Sequence, residues 1–442
     1  MLICFVDDSI MFIDGGILMR EYKKRIADEL LEKKLKGKGA VLIQGPKWCG
    51  KTTTAEQISN SILYMANPED KEQNLTLVDL DPQILLKGLT PRLIDEWQIA
   101  PKLWDAVRYE VDHRGEEGQF ILTGSSVPVN MDDVAHTGTG RFAWLKMRPM
   151  TLYESGESNG SVSLNDLFNG SSKITGINDL SLEDVAYLCC RGGWPRSIFM
   201  DKEIALEQAF DYYDAIVNSD ISRVDGVARN PERAKNLMKS YARNIGSQAS
   251  NETLKNDMIN NDSFSLDTDT VLSYINALKK IFVVEESPAW NPNLRSKTAI
   301  RTSETRYFID PSIAVATFGI GPNDLINDLN TFGLVFETLC IRDLRVYAES
   351  INGRVYHYRD ASDLECDAVV HLRNGSYGLI EIKLGGDKLI ESGAENLIKM
   401  KNKIDTDKMK NPSFLMVLTA TGKYAYQRED GVYVVPIGCL KN

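Results

Sequence analysis

Gly45-Pro46-Lys47-Trp48-Cys49-Gly50-Lys51-Thr52 forms a GxxxxGKT loop between an apolar run at residues 40–43 and a stretch patterned as a helix at residues 53–64. A glycine-rich turn between strand and helix aims backbone N–H groups and a helix N-terminus at phosphate oxygens. In that setting Lys51 reaches the β- and γ-phosphates, the Thr52 hydroxyl holds Mg2+, and Thr53 carries the cradle into the helix. A bound ATP or GTP is therefore expected. An ordinary surface turn with a lysine could carry the same letters, but the flanking elements and an acidic pair downstream argue against it.

That pair is Asp95-Glu96, within Arg92-Leu93-Ile94-Asp95-Glu96-Trp97-Gln98, an apolar strand end followed by two carboxylates. Behind a phosphate loop such a pair divides into a Mg2+ ligand, Asp95, and a general base for the attacking water, Glu96. Alone, it would more simply be the charge pair of a helix N-terminus. Residues 75–80 are patterned as a further strand ending in Asp79-Leu80-Asp81, and residues 104–111 as an amphipathic helix. Residues 119–126 read as a strand ending in small hydroxyls. Thr123 or Ser125 at its tip can bridge water and γ-phosphate, although a strand followed by a tight turn explains the same residues. Arg141, on the turn Gly138-Thr139-Gly140-Arg141, is a candidate finger for a neighbouring subunit's site, with Arg148 a weaker one; a surface salt bridge is the plain alternative.

A second constellation lies near the end of the chain. Asp367 stands on one strand candidate and Glu381-Ile382-Lys383 on the next, joined by a turn at Asn374-Gly375. Residues two apart on a strand share a face, so Asp367, Glu381 and Lys383 are expected on one side of a sheet. Two carboxylates can hold Mg2+ while the lysine activates water for phosphodiester attack. The spacing matches the nuclease pattern of restriction-endonuclease-like folds, with Glu337, in a helix from about Phe332, as the upstream acid. An amphipathic hairpin gives the same spacing, and Asp360, Asp363 and Glu365 would repel DNA.

Between the two sites, residues 155–178 are rich in Ser, Gly and Asn and are expected to form a loop. Helices are expected at residues 183–190 and 203–217, and an irregular stretch at 220–229. Three more helices, at residues 231–244, 250–259 and 271–280, precede strand candidates at 281–285 and 305–309 around a loop with Arg295, Lys297 and Arg301. Three helices and a ribbon with a basic loop describe a winged helix, a DNA-binding module. The front of its third helix carries Asp267, Asp269 and Ser273, so DNA contact and a structural or protein-docking role stand level.

Composition sets the outer bounds. A chain of 442 residues has room for two to four domains at about 100–200 residues each, and 43% hydrophobic with 26% charged residues is a globular balance. The net charge of -11 argues against a general polyanion binder and leaves a local basic face open. Seven cysteines without a CxxC pair point to a reduced, cytoplasmic chain. Residues 1–17 are apolar but interrupted by Asp7, Asp8 and Asp14, which fits a strand or upstream extension rather than a signal peptide; Met19, ahead of an expected helix at residues 20–35, is an alternative start. No run reaches the roughly 20 apolar residues that cross a bilayer, so no membrane is expected.

Residues 45–52, 93–98 with Ala100-Pro101-Lys102-Leu103-Trp104, 121–126, Gly140-Arg141 and Arg191-Gly192-Gly193-Trp194-Pro195 occur in the order found in a large group of bacterial and archaeal AAA-type ATPases. The chain resembles those that pair a P-loop ATPase with a C-terminal domain of unassigned function built on a restriction-endonuclease-like fold. The resemblance implies ATP rather than GTP, frequent homo-oligomerisation, and a helical lid in which Arg196 could approach the γ-phosphate; it supplies no substrate. The expected architecture is α/β multidomain: an N-terminal extension (1–19), an AAA-like core (20–155), a helical lid (156–225), a winged-helix middle domain (226–325) and a restriction-endonuclease-like α/β domain (326–442). ATP and Mg2+ are the expected cofactors, with DNA and a protein partner both open.

Overall fold

The computed structural model describes backbone strands at Leu2–Val6, Ser9–Asp14 and Ile17–Leu18, then residues 22–125, 138–170, 174–259, 266–293 and 299–442. The expectations for Ser126, Arg295, Lys297 and the start at Met19 lie outside the described residues. The first three strands pair as an antiparallel ribbon.

The chain then alternates α1 (Ile26–Leu35), β1 (Ala40–Gln44), α2 (Lys51–Glu56), β2 (Ser61–Tyr64), α3 (Lys71–Leu80), β3 (Arg92–Asp95), α4 (Lys102–Arg114), β4 (Phe120–Gly124) and β5 (Phe142–Lys146). The strands form one parallel sheet in the order β2-β3-β4-β1-β5. Along β1 the period of two splits the side chains: Val41 and Ile43 pack with Leu31 and Leu35 of α1, Ala40 and Leu42 with Leu103 and Val107 of α4. Because all five strands run the same way, the loops after Gln44, Asp95 and Gly124 gather at one sheet edge.

Two expectations are corrected here. Residues 75–80 are the second half of α3, where Asn74 and Val78, four apart, are buried on one helical face. The helix expected over residues 53–64 ends at Glu56, and Ser61–Tyr64 becomes an edge strand paired with β3. Its Ile, Leu and Tyr suit a pleated surface, and only the partner strand makes that visible.

The remainder begins with α5 (Leu182–Arg191) and α6 (Lys202–Ala215), which runs through a wide turn at Ile216–Asp220 into Ile221–Arg223. Then come α7 (Pro231–Arg243), α8 (Asn251–Ile259), α9 (Thr268–Lys280), α10 (Pro311–Phe318) and α11 (Leu329–Ser350). A meander of β6 (Gly353–Arg359), β7 (Glu365–Leu372) and β8 (Tyr377–Lys383) leads through α12 (Asp387–Lys403) to β9 (Phe414–Thr419), parallel to β8, and on to β10 (Tyr424–Gln427) and β11 (Tyr433–Pro436). In this sheet Val370, Ile380 and Met416 share a core with Leu339 and Leu344 of α11, while Val369, Leu379 and Val417 pack with Leu397 and Met400 of α12.

The stretch expected as a loop at residues 155–178 contributes β structure to this distant sheet. Gly176–Ile177 forms its edge beside β10, and Val162–Ser163 pairs with Leu440–Lys441. The expected wing also differs. Among the described residues, 281–285 and 305–309 meet only through isolated bridges such as Val284↔Phe308, Ala289 is bridged to His357 of β6, and Arg301 is paired to Asp363 at 2.9 Å. A single hydrophobic core, from Leu152 to Leu440, runs through α5 to α11 and one face of the sheet. No helix among the described residues is long and apolar enough to cross a membrane.

Candidate nucleotide site

The loop between β1 and α2 turns on two left-handed residues, Trp48 at φ 65° and Gly50 at φ 96°. At Gly45 a Cβ would come within 2.1 Å of the Met147 carbonyl oxygen, so the strand exit tolerates no side chain. Beneath the loop, Arg25 donates to the carbonyls of Cys49 (2.9 Å) and Arg148 (2.8 Å) and pairs with Glu154. Cys49 is buried. Lys51 is also buried, and its Nζ donates to the Pro46 carbonyl at 2.7 Å. A buried ammonium met by a neutral carbonyl leaves charge to be matched by an anion.

The acidic pair splits as its surroundings dictate. Asp95 Oδ1 accepts from Thr52 Oγ1 at 2.7 Å and from Thr123 Oγ1 at 2.6 Å. Glu96, left-handed at φ 55°, donates its N–H to Thr123 and accepts at its carboxylate from Ser125 (3.2 Å) and Gln98. Thr123 therefore organises Asp95, and Ser125 organises Glu96. A hydroxyl and a carboxylate oxygen 2.7 Å apart fit two adjacent corners of a Mg2+ octahedron, with phosphate and water left to supply the others. Among the described residues no set of three His, Cys, Asp or Glu side chains could hold a metal ion unaided.

A cavity of about 530 Å³ opens over this edge. Lys51, Thr52, Thr53, Glu96 and Ser125 line it from the sheet, and Pro195, Arg196, Ser197 and Gln208 from the helical side. Two contacts hold the sides together: Lys47 Nζ meets Asp220 at 2.6 Å, and the Trp48 ring lies 5.5 Å from that of Tyr212. Residues 37–155 match the family model of an AAA domain. Over these residues the chain is similar to an AAA-type P-loop ATPase domain.

Residues 182–324 match a domain of unknown function (DUF8612), and residues 332–440 match another (DUF4143). The chain is also similar to two uncharacterized proteins, Rv2008c of Mycobacterium tuberculosis and Mb2031c of Mycobacterium bovis. Each is 23% identical over 82% of this chain and 74% of its own length. Among solved structures, the Walker-type ATPase PABY2304 of Pyrococcus abyssi covers 66% of this chain and 94% of its own, at 14% identity and a TM-score of 0.41. RuvB of Thermotoga maritima covers 60% and 87%, at 18% identity and a TM-score of 0.24.

Three arginines singled out by the sequence have different surroundings. Arg141 precedes β5, at the sheet edge opposite the phosphate loop, and pairs with Asp112 at 2.7 Å. Arg148 is buried between Glu285 and Glu349, each within 2.8 Å, so it is a structural ion pair and not a projecting finger. Arg196 lines the cavity and makes no ion pair with a described residue. Arg223 does likewise in a small recess that shares Lys47 and Ser125 with the site. Sequence patterning missed Arg223, Asp220, Ser197 and Gln208, all brought in by helices more than 140 residues beyond the loop; only Gln98, two residues after Glu96, carried a local signal.

The C-terminal constellation does converge. Lys383 Nζ lies 2.6 Å from Glu381 and 3.2 Å from Asp367, and Asp367 also accepts from the Ile382 N–H. Asn396 of α12 donates to Glu381 at 2.8 Å. Glu337, on α11, accepts from the Tyr307 hydroxyl. Burial first, and then the Asp367 carboxylate, push both Glu337 and Glu381 up to about 8. Burial pulls Lys383 down, but Asp367 and Glu381 outweigh it and hold the amine above its ordinary range.

Proposed function

We infer that the chain is a Mg2+-dependent ATPase whose nucleotide cycle is transmitted to its C-terminal module. The observation that carries this is the division of labour at the strand ends: Asp95 fastened by Thr52 and Thr123, Glu96 turned out of line and held by Ser125 and Gln98. Lys51 leaves the Pro46 carbonyl for the β- and γ-phosphates, Thr52 and Asp95 hold the Mg2+ shell, and Glu96 takes the proton of the attacking water. Arg196 supplies positive charge from the helical side.

Transmission is supported by the Gly192-Gly193-Trp194-Pro195 turn. Gly193 N–H and Trp194 Nε1 donate to Asp310 and Ser312 at the start of α10. Asp310 pairs with Arg342 of α11, and Arg342 with Asp343, which accepts from Leu152 N–H. The same α11 carries Glu337. A shift of the cavity wall at Pro195 is thus linked through buried contacts to the helix behind the second site.

ATP turnover with and without single- and double-stranded DNA, read in parallel on a gel, tests the proposal. Turnover that depends on Lys51 and Glu96 supports it, and unchanged turnover in Lys51→Ala and Glu96→Gln sinks it. A second function, nucleotide-gated DNA cleavage, is favoured by one observation, the meeting of Asp367, Glu381 and Lys383 on β7 and β8. Cleavage that survives Asp367→Ala rules that site out. Slow turnover indifferent to DNA would point instead to a nucleotide switch that docks a protein partner, and a homo-oligomer is the expected assembly.

A further inference from the structure

We propose that Arg25, at the start of α1, is a positioning residue that aims the Gly50 N–H of the phosphate loop at the nucleotide's phosphates, which deepens the ATPase function above and rests on it. Arg25 is the N-cap of α1, where its own N–H donates to Asp28 at 2.8 Å, and α1 packs Leu31 and Leu35 against β1. The root of the side chain is therefore fixed to the sheet that carries the loop. The guanidinium belongs to a residue only 4% exposed and turns each nitrogen to a different segment: Nη1 to the Cys49 carbonyl (2.9 Å), Nη2 to the Arg148 carbonyl (2.8 Å) and Nε to Glu154 (3.0 Å). Glu154 is held in turn by the N–H groups of Ile26 and Thr151.

The peptide between Cys49 and Gly50 converts that contact into a direction. A trans peptide is planar, so its C=O and N–H point opposite ways. With the Cys49 carbonyl drawn down onto Arg25, the Gly50 N–H points up, toward the cavity that Gly50 lines. That N–H meets no acceptor among the described residues, which leaves it for a phosphate oxygen. Gly50 holds this orientation at a φ of 96°, a left-handed value that favours glycine, and a Cβ there would already stand 3.4 Å from Arg25 Nη1. The three acceptors lie in three directions, which a planar guanidinium fork meets at once and a lysine ammonium on its flexible stem does not. Without the anchor the peptide is free to rotate, and rotation turns a carbonyl oxygen toward the phosphates in place of the N–H.

Binding of inorganic tripolyphosphate with Mg2+, together with kcat and KM for ATP turnover, tests this in the full chain and in Arg25→Lys. Arg25→Gln/Glu154→Gln is a second variant that strands no buried charge, and Lys51→Ala is the reference. Both Arg25 variants are expected to fold, read by circular dichroism, to bind tripolyphosphate about tenfold more weakly, and to raise KM for ATP about tenfold while kcat stays within about threefold. A merely structural role would instead lower kcat through fewer folded molecules and leave KM where it was. An unchanged KM or tripolyphosphate affinity in either folded variant, or failure of both to fold, overturns the proposal, while a tripolyphosphate response to Lys51→Ala keeps the ATPase function standing. No tripolyphosphate binding by the unaltered chain overturns both.

Discussion

Asp95 and Glu96 are neighbours in sequence and do different work because the backbone reverses between them. Asp95 ends a strand and is pinned by two hydroxyls, whereas Glu96 sits at a positive φ with its carboxylate toward the cavity. Glu96→Gln is expected to keep ATP affinity and slow turnover by about 100-fold or more, since only proton acceptance is lost; a filter-binding assay beside a phosphate-release assay separates the two effects. Lys51→Ala is expected to lose affinity instead. On β6, the strand beside the one that carries Asp367, burial holds the His357 imidazole below its ordinary 6.5 even though the Ser303 carbonyl pulls the other way. The folded state thus resists a proton that the unfolded chain accepts, so stability contributed here is present above 6.5 and is lost as pH falls below it. Melting temperatures between about pH 7.5 and 5 should decline less steeply in His357→Asn, whatever the offset between the two proteins.

At the level of elements, the Gly-Gly-Trp-Pro turn shows how a short motif becomes a joint. Gly192 is left-handed at φ 72°, and a Cβ on Gly193 would come within 2.1 Å of the Met150 carbonyl oxygen. Gly193→Ala is therefore expected to shift the turn and cost about 1–3 kcal/mol, read from urea unfolding. Arg342 is buried between two buried carboxylates, so Arg342→Met strands both Asp310 and Asp343 and should cost about 3–5 kcal/mol. These elements were unevenly legible. β1, α2 and β3 announce themselves because an apolar run followed by a glycine loop or two acids is local information. Residues 75–80 deceived because a short run of mixed pattern suits either period, and only packing of Val78 under the sheet decides for a helix. The two-residue strands at Val162–Ser163 and Gly176–Ile177 left no trace, since polar, glycine-rich chain becomes strand only where a partner edge waits about 250 residues away.

Over the whole molecule, the core that runs from Leu152 to Leu440 joins the helices to one face of the C-terminal sheet. A fragment of residues 326–442 would lack the edge strand at Gly176–Ile177 and the apolar cover of α5 to α10. It is expected to unfold without a cooperative transition, while residues 150–442 should show a single one by circular dichroism in urea. The phosphate loop, the acid pair and the Asp367, Glu381, Lys383 spacing could all be read without coordinates, because each is built by residues close in the chain whose geometry follows from strand and turn. Long-range packing alone buries Arg148, turns Arg141 away from the loop, and closes Arg196, Ser197, Gln208 and Arg223 over it. Those positions depend on which helix faces pack together across more than a hundred residues, and burial, unlike spacing, is a property no short stretch of sequence carries.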